Sequence, residues 1–178
     1  MNKHDRSKSI FILKCIFYAD KFHMQTYGIP ITGDTYYKLK HGPIGTIAYD
    51  ILKKNEISIP QDIISISNTA IRGEREKEKD ADTDIVYRCK REANMHVFSK
   101  NNIECIDKAI GFCVNNKMQT QYSTSDYALS EVSHKEKAWC SAENLGDTLD
   151  FELIIDEDIE NRKEIIKYMR DVARFICL

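Results

Sequence analysis

Two histidines and one aspartate are the side chains in this chain best suited to chemistry. His41 and His134 titrate near neutral pH and could exchange protons with a substrate. Asp34 could orient or assist them if the fold brought the three together. No sequence motif supports that convergence: GxSxG, HExxH and a locally supported Cys-His pair are all missing. A histidine beside a capping serine, as in Ser133-His134, is also an ordinary structural hydrogen bonder, and both readings stay open. Gly33, Gly42 and Gly45 punctuate "ITGDTYYKLKHGPIG" without the GxxxxGK[ST] spacing of a nucleotide-phosphate loop. They fit turn geometry. A helix start over 43–46 could alternatively present free N–H groups to an anion.

The six cysteines are dispersed and form no CxxC. They read as reduced thiols of a cytoplasmic protein, with neither a zinc site nor a disulfide framework expected. The 178 residues carry a net charge of −2, which gives no global attraction to nucleic acid and argues against DNA binding. The charge is uneven, however. Residues 1–54 hold nine Lys/Arg against four Asp, so this third could offer a basic face to an acidic partner. No apolar run reaches the length of a membrane span, and "IFILKCIFYAD" is interrupted by Lys14.

The elements that must position these residues are mostly helical. Apolar residues on two stripes predict a widely buried helix over 8–27, stopped by Gly28 and followed by Pro30. A second helix is expected from "HGPIGTIAYDILKKN". Pro43 would sit in its first turn, Ile44, Ile47, Ile51 and Leu52 would face inward, and Lys53 and Lys54 would close it. Alternation in "IISIS" reads as loop and strand over 57–72. The charged run at 74–84 reads as the exposed tip of a β-hairpin or a loop, with "DIVYRCKRE" returning.

From residue 100 the helical period resumes, with Ile103, Ile106, Ala109, Ile110, Cys113 and Val114 as the apolar stripe. Ser123 with Asp126, and Ser133 with Glu136, have capping-box spacing. A last helix is expected over 157–176, with Ile165, Met169, Val172 and Ile176 inward. Trp139, the single tryptophan, fits either a half-buried core position or an interface anchor. The fold class is mainly α, a compact helical domain with a small β-hairpin or sheet insertion around residues 57–98.

Tyr36, Tyr37 and Tyr49 cluster with Lys38 and Lys40, a pairing that suits either base stacking or a protein interface. Here the residues carry a likeness. "IFYADKFHMQTYGIPITGDTYYKLKHGPIGTIAYDILKK" resembles the signature of the Panacea, or SocA-like antitoxin, domain. The matching positions are Tyr18, Ala19, Asp20, His23, Tyr27, Gly28, Pro30, Ile31, Thr32, Gly33, Asp34, Tyr36, Gly42, Pro43, Tyr49 and Asp50. "EVSHKEKAW" resembles a second family element through Ser133, His134 and Trp139. The likeness covers roughly 9–145, with the C-terminal helix packing on it in a single domain. The family's Phe after Tyr18 is replaced, Phe17 preceding it instead, and the charged 72–92 segment looks particular to this chain.

The resemblance implies a cytoplasmic, non-enzymatic antitoxin without a cofactor, often in phage-defence loci, that binds a cognate toxin encoded nearby. It also implies alternatives: an adaptor delivering the toxin to a Clp protease, or, from the histidines, an enzyme acting on a nucleotide or a modified toxin. A Clp protease or chaperone and a second copy of the chain are further possible partners. Tyr36, Tyr37, Lys40 and His41, with part of the 74–91 segment, are the expected toxin contacts. Asp20 and Asp34 are expected to accept hydrogen bonds that fix the turn.

Overall fold

The structure is a computed structural model that describes residues 6–55, 57–75, 85–119 and 128–176. Among the described residues the fold is mainly α with two small antiparallel sheets. Helix α1 (Ser9–Tyr27) runs through the centre and is buried on most sides along its second half. Gly28 ends it in the left-handed conformation, φ 75°, with its N–H bonded to Met24 O at 2.9 Å. That glycine is also a close approach. A Cβ there would lie 2.8 Å from the Tyr168 ring, where the last helix crosses the end of α1.

Strand β1 (Arg6–Lys8) leads into α1, and the β2 (Tyr36–Leu39)–β3 (Gly42–Gly45) hairpin follows it. Helix α2 (Thr46–Lys53) begins only after β3. The expected helical first turn at Pro43 is therefore corrected: Gly42–Gly45 pairs with β2, with Lys38 opposite Pro43. Proline suits β3 because it is an edge strand that need not donate at every position. With the start shifted, Leu52 is the buried residue of α2 and Ile47 is 49% exposed.

Residues 61–70 form helix α3 (Gln61–Ala70), not the strand read from "IISIS". Ile64 and Ser67 are its buried positions, three apart, so the helical spacing overrides the β-branched run. The hairpin beyond it is as expected: β4 (Ile71–Arg75) pairs with β5 (Ile85–Cys89), and β1 adds on the other side, giving the order β1-β5-β4. The charged tip, 76–84, lies outside the described residues.

A 3-10 turn, Met95–Val97, precedes α4 (Lys100–Gln119), which packs along α1. Its inward face is Cys105, Ala109 and Cys113, while Ile110 and Val114, expected inside, are 43% and 40% exposed. Helices α5 (Ala128–Ser133) and α6 (Lys137–Ser141) follow. The Ser123–Asp126 capping box lies outside the described residues. The Ser133–Glu136 box does not form: Ser133 ends α5 and its hydroxyl donates to Ser130 O at 3.0 Å. Helix α7 (Phe151–Ile154), not anticipated, precedes α8 (Arg162–Ile176), which starts later than expected because Asn161 breaks the run at φ 58°.

The main core joins Phe17, Tyr18, Phe22 and Met24 of α1 to Ala109, Cys113, Leu129, Ile154 and Ile155. A smaller one, Leu13, Ile44, Leu52 and Tyr87, joins α1 to the hairpins. Among the described residues no helix is long and apolar enough to cross a membrane.

Candidate functional site

Asp20 sits mid-helix on α1 with 0% exposure, which requires partners for both carboxylate oxygens. The turn after Gly28 supplies them. Oδ1 accepts the N–H groups of Ile31 at 2.7 Å and Thr32 at 3.0 Å. Oδ2 accepts the Thr32 hydroxyl at 2.5 Å and the Tyr36 phenol at 2.7 Å. One carboxylate thus joins helix, turn and hairpin. The Thr32 hydroxyl in turn accepts the N–H of Asp34 at 3.1 Å.

Asp34 does the equivalent for α2. Its Oδ1 accepts Ile47 N–H at 3.0 Å and its Oδ2 accepts Ala48 N–H at 2.9 Å. It caps a helix that begins twelve residues after it, where the local cap Gly45 has no side chain to offer. The anion considered for this helix start is therefore internal.

The second family-like element closes on the other end of the hairpin. His134 stacks on Trp139 with ring centroids 4.2 Å apart, and its Nε2–H donates to Lys40 O at 3.1 Å. Trp139 Nε1–H donates to Leu39 O at 3.1 Å. The Lys38 ammonium lies 4.4 Å from the Trp139 ring centroid and donates to Ala142 O at 2.8 Å. Burial holds the His134 pKa below its ordinary value, so the ring is neutral near pH 7. Trp139 thus takes the half-buried reading. Gly42, at φ 94°, is required here twice over: a Cβ would fall 2.1 Å from Ser133 Oγ and 2.6 Å from Lys14 Nζ.

Of the expected contact residues, Lys40 is exposed and Tyr37 and His41 are half-buried. Tyr36 is 0% exposed, edge-on to Phe17 at 5.2 Å, and its hydroxyl is spent on Asp20. It is therefore a core residue of the monomer, because an aromatic with one polar tip suits a buried carboxylate. Tyr37 pairs across to Thr148, so β2 is bordered on both sides. Gly33 takes the turn at φ 67°, and Tyr49 is 37% exposed, with the Lys53 ammonium 5.6 Å from its ring centroid. His41 is close enough to His134 to influence its charge, whereas the Asp34 carboxylate is bonded to α2 instead of to either ring.

Sequence reasoning assigned no structural role to four buried polar side chains. Lys14, 0% exposed, donates to Pro43 O at 2.9 Å, and burial lowers its pKa to about 7. Lys21 bonds Glu136 at 2.5 Å and Asp156 at 2.9 Å, and Gln25 bonds the same Asp156 at 2.7 Å. His23 donates from Nδ1 to Ile29 O at 2.7 Å and accepts from Asn102 at Nε2, 3.1 Å away. The available signal was a pair of lysines seven apart inside a helix apolar on most sides. Such residues must find partners elsewhere in the fold.

The family model described as antitoxin SocA-like, Panacea domain, matches residues 12–140. The chain belongs to this antitoxin-like family. The Panacea match takes in both carboxylates, the hairpin and the His134–Trp139 stack, and ends before α7 and α8. No curated protein and no solved structure matches the chain.

Proposed function

We propose that this Panacea protein is an antitoxin that neutralises a cognate toxin, encoded nearby, by direct protein–protein binding, with phage defence as its setting. The observation that carries this is the Panacea match over 12–140. Binding is favoured over catalysis by the way the motif's polar atoms are used. Asp20 and Asp34 hold backbone N–H groups, and His134 holds a backbone carbonyl. A proton-transfer role would need these atoms turned toward a substrate. No cofactor enters the proposal.

Tyr37, Lys40 and His41 remain in the proposed contact, and Tyr36 leaves it because it is fully buried. The complex is expected to bury about 1,600 Å² in total.

The test is co-expression with the product of each flanking reading frame, with growth and co-elution scored together. Growth rescue with a stable complex is the expected result. Rescue without a complex, lost in cells lacking a Clp protease, would replace blocking by delivery for degradation. No rescue with any neighbour would defeat the antitoxin reading.

A further inference from the structure

Two apolar hollows meet on one face of α1. The first, about 340 Å³, is lined by Ile12, Ile16 and Ala19 of α1 and by Ile106 and Ile110 of α4. The second, about 330 Å³, is lined by Ile47 and Ile51 of α2. Ile16 and Thr32 line both, so the hollows form one groove with Thr32 at the junction.

Charge distinguishes this groove from an ordinary apolar depression. Asp20 lines the first hollow and Asp34 the second, and they are 0% and 2% exposed. Among the described residues no Lys, Arg or His lies within 4.0 Å of either carboxylate. The partners they do have are N–H and O–H dipoles. As acceptors only, both are carboxylates, so two buried negative charges stand without a counter-cation in contact. Low-dielectric walls focus that field into the groove.

We infer that the groove receives an apolar segment of the partner protein that carries one Lys or Arg, seated with its cation over Thr32. Apolar side chains match the isoleucine walls, and the cation answers the Asp20–Asp34 pair. A wholly apolar segment leaves that field unmet. Nucleic acid does not fit, because the described lining residues include no Lys, Arg or His and the field repels phosphate. This deepens the antitoxin reading and rests on it for the identity of the partner.

The test uses the toxin found by co-expression and four single variants at exposed wall positions: Ile47→Glu, Ile47→Lys, Ile110→Glu and Ile110→Lys. Circular dichroism melts verify folding, and calorimetry gives Kd. All four variants are expected to weaken binding, and each Lys variant by about 10-fold more than its Glu counterpart, since Lys repels the incoming cation. If all four bind like the wild type, the groove is not the contact, and the antitoxin reading stands. If Lys and Glu weaken binding equally, the cationic occupant is wrong. If the wild-type chain itself neither rescues growth nor binds any neighbour's product, the antitoxin reading falls and takes this inference with it.

Discussion

Gly45 lies directly against the Asp34 carboxylate: a Cβ on Gly45 would stand 2.4 Å from Oδ2. The carboxylate occupies the space that a side-chain cap on α2 would use, and it makes the capping bonds itself. Gly45→Ala is therefore expected to displace Asp34 and lower stability by about 2–3 kcal/mol, combining overpacking with a lost cap. Asp34→Ala is expected to lose about 1–2 kcal/mol, as the cap alone. Urea denaturation checks both. A wild-type midpoint for Gly45→Ala would mean that the carboxylate does not need that position.

Asp20 accepts four bonds, so Asp20→Asn turns an amide N–H₂ toward donors that need an acceptor. The expected loss is about 2–4 kcal/mol, and Tyr36→Phe is expected to lose about 1–2 kcal/mol. The double variant should lose less than the sum, because both changes break one bond. Strict additivity in a denaturation cycle would contradict the Asp20–Tyr36 bond.

Lys14 makes stability depend on pH. Its pKa is lowered to about 7 from 10.5, so between these values the unfolded chain binds the extra proton. Stability should therefore rise with pH from about 7 towards 10, by up to about 4 kcal/mol from this group. Burial raises the pKa values of Tyr18 and Tyr36, so both stay protonated in the fold, and stability should fall again above their ordinary value of 10. Lys14→Met should flatten the rise and leave the fall. An equal rise in that variant would show that another group titrates.

The ion pair of Lys21 and Glu136 is enclosed, with side chains 7% and 10% exposed. Lys21→Met should lose about 3–5 kcal/mol by leaving Glu136 unpaired, and adding Glu136→Leu should recover most of that loss. Failure of the second change to recover stability would place the effect in Asp156 and Gln25 instead.

His134→Ala should lose about 1–2 kcal/mol, from the stack on Trp139 and the bond to Lys40 O. It should still neutralise toxin below its melting temperature. A folded, toxin-binding variant that no longer neutralises would revive the enzymatic reading.

Much of this molecule was legible locally. The central helix and its glycine stop, the β4–β5 hairpin and the final helix follow from periodicity and turn chemistry, which act within a few residues. The family-like residues were legible as types, and the hydrogen-bonding role expected for Asp20 and Asp34 is the one the fold displays. Other features depend on partners distant in sequence. Gly42–Gly45 became a strand because Tyr36–Leu39 pairs with it, and 61–70 became a helix because Ile64 and Ser67 face the interior together. Tyr36 reads as an interface tyrosine until Asp20, sixteen residues earlier, turns its hydroxyl inward. That the Asp20–Asp34 pair has no ion-pair partner among the described residues is likewise a tertiary fact. Sequence supplies the carboxylates, but only packing decides that N–H and O–H dipoles and, among the described residues, no cation within 4.0 Å surround them.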